Sequence, residues 1–374
     1  MYMEVKKIVI LVYKLTGGGA ERVASLWATG FAERGYDVTV ITTTGKKENL
    51  TYELSPLVKH LVIETPITNR IIKGVLNRIG IWKLYFAYKL KRVLHEIKPD
   101  VCIGILGDYA LQAYRCTRDL DCKIINTEHN AYDRPEFIES RPDVIKMKFH
   151  TNKIFDRVTV LTEADTKVSG VPKENMTVLP NPLTFEPVKD IPHKEKIILA
   201  TGRLDVWEVK GFDNLIRAWG RIAKQYPKWK LMIAGTGTVK SKEYLIRLTE
   251  EEQVKDSVLF IGFCNNIIDY YKKASIFVLS SRYEGFGMAL TEAMSQGCAC
   301  IACDFNGRQR EIIQNDSQGI ICSNDNYIEL SDAIKRMISD SEYRESCRTF
   351  AIERSKYYSI DRTIDRWEHI FQTL

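Results

Sequence analysis

The sequence holds 374 residues, more than one hydrophobic core usually organises, so two domains are the default. Apolar residues make up 45% and charged residues 27%, a balance that excludes a disordered or fibrous chain. The formal charge of +6 permits anionic ligands or a membrane surface but does not call for nucleic acid.

The start, MYMEVKKIVILVYK, runs from charge into one strand-length apolar run without a cleavage site, so no signal peptide is expected. No apolar stretch approaches the roughly 18 residues that span a bilayer. Nine scattered cysteines fit a reducing cytosol, and a cytoplasmic location is expected. Cys300-x2-Cys303 has no second pair elsewhere, so core packing is expected there rather than zinc or redox chemistry.

The first half alternates strand and helix. Ile8 to Val12 reads as a strand, followed by Thr16-Gly17-Gly18-Gly19-Ala20 and an apolar-periodic helix to about Arg34. Val38 to Ile41, His60 to Glu64, Val101 to Leu106, Lys123 to Asn126, Val158 to Thr162 and Thr177 to Leu179 read as further strands. Strands spaced by helices predict a parallel, doubly wound sheet. The glycine run after the first strand lacks the acid that a nicotinamide site needs, because the second strand ends Thr42-Thr43-Thr44. A plain tight turn is the alternative for a glycine run alone.

Residues 68–98 carry Arg70, Lys73, Arg78, Lys83, Lys89, Lys91, Arg92 and Lys98 against one acid, Glu96, interleaved with apolar and aromatic residues. Two readings stand side by side: a helix that lies on anionic lipid, or a domain-packing helix with a basic outer face. Asp119-Leu120-Asp121 looks like a metal-binding triplet, but it follows a helical stretch without the matching fold, and a solvated turn is expected. No essential metal and no cofactor are expected. Asn126-Thr127-Glu128-His129-Asn130 closes a strand, where doubly wound sheets place ligand groups.

Leu183 to Lys194, with Pro187 and Pro192, reads as a linker. A second series follows: strands at Ile197–Thr201, Leu231–Ala234, Val258–Gly262, Ile276–Leu279, Ala299–Ala302 and Ile320–Cys322. The fold class is therefore α/β, two Rossmann-like doubly wound domains. In this second half Thr201-Gly202-Arg203 ends one strand, and Lys210-Gly211 precedes a helix from Phe212.

The stretch from Ile276 to Gly297, IFVLSSRYEGFGMALTEAMSQG, combines a buried strand, a glycine turn at Gly285-Phe286-Gly287 and a helix from Met288. Such a turn offers unpaired backbone N–H groups and a positive dipole end to an anion. Glu284 lies just before the helix and Glu292 inside it, roughly 8–12 Å apart on helical geometry. Two acids flanking an anion pocket suit a ligand with hydroxyls at both ends and phosphate between, the layout of a nucleotide-sugar. Either acid alone would pass for a solvated surface glutamate.

This stretch resembles the Glu-x7-Glu signature of retaining glycosyltransferases of the GT-B fold, in particular family 4 of the bacterial cell-surface glycan type. The resemblance covers nearly the whole chain and implies two domains facing across a cleft. Their expected bounds are 1–183 on the acceptor side, 184–355 on the nucleotide-sugar side, and 356–374 as a helix crossing back to the first domain. It implies that Glu284 holds donor-sugar hydroxyls and Glu292 the ribose, with Gly285, Phe286, Gly287 and Met288 around the donor. Arg203 and Lys210 match the family's diphosphate cations, although the spacer Leu204 to Val209 is longer than in many relatives. Phe263 and Asn265 match the loop whose backbone meets the nucleobase, and Gly18 and Gly19 the loop facing donor and acceptor. His129 occupies the place of a histidine facing the donor sugar. Leu179-Pro180-Asn181-Pro182 matches the segment that closes the first domain. Asn306 and Gln309-Arg310 depart from the family pattern, and Glu311 receives no ligand role. The implied partners are a nucleotide-sugar donor, most often UDP-linked, and a lipid-linked or cell-surface glycan acceptor, with peripheral membrane contact through 68–98. A nucleotide-sugar epimerase and a non-catalytic binding protein are the alternatives; the epimerase would form product without an acceptor.

Overall fold

The computed structural model describes residues 4–44, 50–64, 81–133, 151–168 and 171–374. By contacts the chain divides into one unit of Met1–Pro182 with Ile360–Leu374, and another of Leu183–Ser359. Each is built on one parallel sheet.

The first sheet comprises β1 (Lys7–Val12), β2 (Asp37–Thr42), β3 (Lys59–Val62), β4 (Val101–Ile105), β5 (Lys123–Thr127), β6 (Arg157–Val160) and β7 (Met176–Val178), in the order β3-β2-β1-β4-β5-β6-β7. The second comprises β8 (Glu195–Thr201), β9 (Lys230–Ala234), β10 (Val258–Gly262), β11 (Ala274–Leu279), β12 (Ala299–Cys303) and β13 (Ile320–Cys322), in the order β10-β9-β8-β11-β12-β13. The apolar runs behave as their lack of alternation predicts. Ile8 to Val12, Val101 to Ile105 and Ala274 to Leu279 are buried throughout, as strands covered on both faces must be. In each sheet the chain lays strands outward to one side and then returns beside its first strand. The crevices of ligand-binding α/β sheets lie where that reversal occurs, here between β1 and β4 and between β8 and β11.

In the first unit, α1 (Gly19–Glu33) packs its buried Trp27 and Phe31 on the C-terminal helix α13 (Ile360–Gln372). The Trp27 and Trp367 rings meet edge-on at 5.0 Å, and Phe31 lies 5.6 Å from Phe371. Gly30 lets the helices approach, since a Cβ there would sit 2.9 Å from Ile364. The helix α2 (Ile81–Ile97) settles the inner half of the two readings above. Phe86, Leu90 and Leu94 are buried in the core, at about 1.5–3 kcal/mol each. The outer face is solvated, with Leu84 72% and Tyr88 60% exposed. Residues 68–80 of the basic segment lie outside the described residues. Among the described residues no helix is long and apolar enough to cross a membrane. Asp119 is engaged by Lys91 and His95 from α2, as a solvated turn would be, and no group of His, Cys, Asp and Glu among the described residues could hold a metal ion.

In the second unit, Trp219, Leu215 and Ile216 from α6 (Phe212–Gly220) fill the core with strand residues of β8, β9 and β11. The nine cysteines are all unbridged, and Cys300 and Cys303 are buried in β12. Burial pushes the Cys303 thiol up to about 12, so it behaves as an apolar core group.

Candidate active site

The second unit's site is assembled from the loops that follow β8 and β11, the two strands beside the reversal of strand order. After β8 the chain passes Arg203 and a single 3-10 turn, then forms the short helix α5 (Trp207–Lys210). Gly211 ends it with φ of +62°, and a Cβ there would lie 1.9 Å from the Ser280 carbonyl oxygen. Only glycine fits that approach. The Ser280 hydroxyl in turn donates to the Lys210 carbonyl at 2.8 Å.

This packing brings Lys210 to Glu284. Lys210 Nζ donates to Glu284 Oε1 at 2.5 Å, and Ser281 Oγ donates to the same oxygen at 2.8 Å. The pair is half-buried, with side-chain exposures of 24% and 15%. Among the described residues nothing donates to Glu284 Oε2. Cation and acid thus satisfy each other across the two loops.

Gly287 follows with φ of +100°, and a Cβ there would meet Leu279 at 3.1 Å. It opens α9 (Met288–Ser295) without a side-chain cap, and the Leu290 N–H turns back onto the Gly287 carbonyl at 2.9 Å. Phe286 is buried edge-on against Tyr358 at 5.4 Å, so its backbone rather than its ring faces the turn. Gly285 and Met288 are half-buried beside it. Inside α9, Glu292 is 5% exposed, and both its carboxylate oxygens already accept. Thr184 Oγ1 donates to Oε1 at 2.6 Å and the Tyr271 hydroxyl to Oε2 at 3.1 Å. Burial drives the Tyr271 phenol well up, which keeps it a donor.

Arg203 is exposed and forks onto Asp205, with Nε to Oδ1 at 3.1 Å and Nη2 to Oδ2 at 2.8 Å. That hydrogen bond, more than charge alone, holds the Asp205 carboxyl below its usual range. Both line a cavity of about 340 Å³ with Thr236, Gly237 and Thr238. Gly237 forms its floor: a Cβ there would lie 2.6 Å from the Asp205 backbone nitrogen. Phe263 and Asn265 stand exposed past β10, the edge strand, with Phe263 67% exposed.

The first unit holds the remaining predicted residues. Gly18 caps α1 with extended backbone, and the Glu21 carboxylate fills the space a Gly18 side chain would take. The α1 terminus thus carries its own counter-charge at Gly18 and Gly19. His129 Nε2 lies 3.1 Å from Thr127 Oγ1, and its ring packs 5.6 Å from Trp27. Beside it, buried Glu128 accepts from Asn126 and Asn152, an arrangement the sequence does not announce. Leu106, at the end of β4, adopts φ of 75° and ψ of 149°, a region nearly reserved for glycine. Sequence reasoning also passed over Asp205, Ser281, Thr184 and Tyr271. The spacing of Asp205, two residues after Arg203, is the one signal among them.

A family model described as "Glycosyl transferases group 1" matches residues 184–354, and one described as "Glycosyltransferase Family 4" matches residues 17–186. The chain is a glycosyltransferase. It is 28% identical over 373 residues to an uncharacterised glycosyltransferase of Haemophilus influenzae, covering 98% of this chain and 99% of that one. It is 26% identical to the N-acetylgalactosamine-N,N'-diacetylbacillosaminyl-diphospho-undecaprenol 4-alpha-N-acetylgalactosaminyltransferase of Campylobacter jejuni, covering 94% and 96%. The glycosyltransferase also shares the fold of the Anabaena protein HepE, solved with UDP and glucose, at a TM-score of 0.79 and 16% identity. That match covers 99% of this chain and all of the other. The two parallel α/β, Rossmann-like domains are together those of the GT-B fold.

Proposed function

We propose that this enzyme is a retaining glycosyltransferase that moves a hexose or N-acetylhexosamine from a UDP-linked sugar to a hydroxyl of a lipid-linked or cell-surface glycan, forming an α-glycosidic bond. The observation that carries this reading is the Lys210–Glu284 pair beside the uncapped terminus of α9. A nucleotide-sugar supplies what would part them: a diphosphate for Lys210 and sugar hydroxyls for Glu284. Arg203 adds a second cation, Glu292 takes the ribose, and the Phe263–Asn265 loop takes the base. His129 is assigned the orienting and polarising of the donor sugar.

In the proposed reaction the acceptor hydroxyl attacks the anomeric carbon on the face the diphosphate leaves. The bond from that carbon to the phosphate oxygen breaks as the new glycosidic bond forms, and a departing phosphate oxygen takes the acceptor proton. Negative charge grows on the diphosphate, so fixed cations and helix-end amides lower the barrier there. These groups supply the compensation that a metal gives elsewhere, and activity is proposed to be metal-independent. The names of relatives such as the undecaprenol-linked Campylobacter enzyme support the acceptor class. We also propose that the solvated face of α2 gives peripheral contact with anionic membrane on the cytoplasmic side, supported by exposed Leu84 and Tyr88 beside basic Lys91 and Arg92.

The test is a thermal-stabilisation screen of UDP-, GDP- and other nucleotide-sugars. The expected result is stabilisation by UDP-sugars above the rest; no response to any would count against the donor site.

A further inference from the structure

Arg282, the second residue before Glu284, is not aimed at any ligand. Its guanidinium is spent on the protein. Nη1 and Nη2 fork onto Asp213 at 2.7 and 2.8 Å, Nε donates to Asp325 at 2.6 Å, and Nη1 also donates to the Glu208 carbonyl at 2.7 Å. Its backbone is held at both ends as well. The Arg282 N–H donates to the Val209 carbonyl at 2.9 Å, and its own carbonyl accepts from Asn324 at 2.9 Å. Glu208 and Val209 are the two residues that precede Lys210, and Asp213 lies in the first turn of α6 just after it.

Arg282 therefore joins three segments distant in sequence: the 208–213 stretch that carries Lys210 and runs from α5 into α6, the loop bearing Glu284, and the loop of Asn324 and Asp325. A short helix of one turn has little stability of its own. Its orientation is set by what grips its carbonyls and its end. We propose that Arg282 is a positioning residue of the transfer reaction, which fixes the α5 turn so that the Lys210 ammonium is pre-aimed at the donor diphosphate. This rests on the reading of Lys210 and Glu284 as donor ligands.

Lysine in place of Arg282 keeps the charge but not the planar fork that spans Asp213 and the Glu208 carbonyl together. Arg282→Lys should therefore behave as a partial loss rather than as a conservative change.

The experiment is a double-mutant cycle read by calorimetric titration of UDP, GDP, ADP and dTDP, carrying forward whichever binds most tightly. The four proteins are the parent, Arg282→Ala, Lys210→Ala and the double variant. Arg282→Ala should weaken binding about tenfold or more in the parent and less than about threefold in Lys210→Ala, because its effect passes through Lys210. An equal loss in both backgrounds, or none in either, would leave Arg282 a general stabiliser and overturn the proposal. Binding unchanged in Lys210→Ala, or absent in the parent for every nucleotide, overturns the donor-site reading instead. If circular dichroism shows Arg282→Ala unfolded, Arg282→Lys takes its place in the cycle, with the same non-additivity expected and the same additive result contradicting it.

Discussion

Lys210 and Glu284 lie 74 positions apart in sequence, yet their side chains meet at 2.5 Å. One follows β8 and the other β11, and the strand order places those two strands side by side. The pair is thus a product of topology. Each group satisfies the other, and on the proposed reading a bound donor parts them.

Lys210→Ala removes the cation while leaving Glu284 with its bond from Ser281. It should lower kcat about a hundredfold, the scale of losing one fixed donor at a site of growing charge. Glu284→Gln, which keeps the shape but not the charge, should lose about tenfold or more in kcat/KM. Steady-state transfer assays check both, with circular dichroism to confirm that the fold persists.

Gly211→Ala places a methyl group where the Ser280 carbonyl oxygen lies 1.9 Å away, at a φ that side chains rarely adopt. The cost should exceed about 2 kcal/mol, lowering the melting temperature by roughly 4–8 °C for a unit of this size. Gly17, with φ of +86° and no atom within 4 Å, is the control. There alanine should cost only about 1 kcal/mol.

The contrast between those two glycines shows what the sequence conceals. Strands were legible because Ile8 to Val12 and Ile276 to Leu279 are uninterrupted apolar runs, which only strands covered on both faces require. Glu284 was legible because a glycine turn and a helix start frame it. Asp205, Thr184 and Tyr271 were not, because a hydrogen-bond partner is fixed by three-dimensional register and leaves no periodicity behind. The basic stretch at 68–98 shows the same limit. Its composition fits lipid and protein equally, and only the burial of Phe86, Leu90 and Leu94 assigns the inner face of Ile81–Ile97.

Trp367 is fully buried against Trp27 and Phe31. Trp367→Ala should cost the first unit about 3–5 kcal/mol. Differential scanning calorimetry should show a lower transition for that unit with the second unit's transition unmoved.

Acid should loosen the second unit through two carboxylates. Hydrogen bonding from Arg203 lowers Asp205. At Asp325 burial pushes the other way, but hydrogen bonds from Asn214 and Arg282 outweigh it and leave the group lowered. A carboxyl depressed in the folded state gives stability that is present above its unfolded value, about 3.9, and is lost as pH falls through the folded value. Asp325→Asn should therefore flatten the fall in melting temperature below about pH 4 while changing little in its slope above pH 5.

The solvated face of Ile81–Ile97 should carry the protein to the top of a sucrose gradient with vesicles rich in anionic phospholipid, and less so with neutral vesicles. Leu84→Glu with Tyr88→Glu should abolish flotation without altering the melting temperature by more than a degree or two, since both side chains are exposed.

The most direct measurement is a crystal structure with an unreactive UDP-sugar analogue bound. The account predicts the diphosphate at Lys210 and Arg203, the Lys210–Glu284 contact opened, the sugar hydroxyls on Glu284 and the ribose on Glu292. A nucleotide lodged away from α9, with Lys210 and Glu284 still paired, would contradict it.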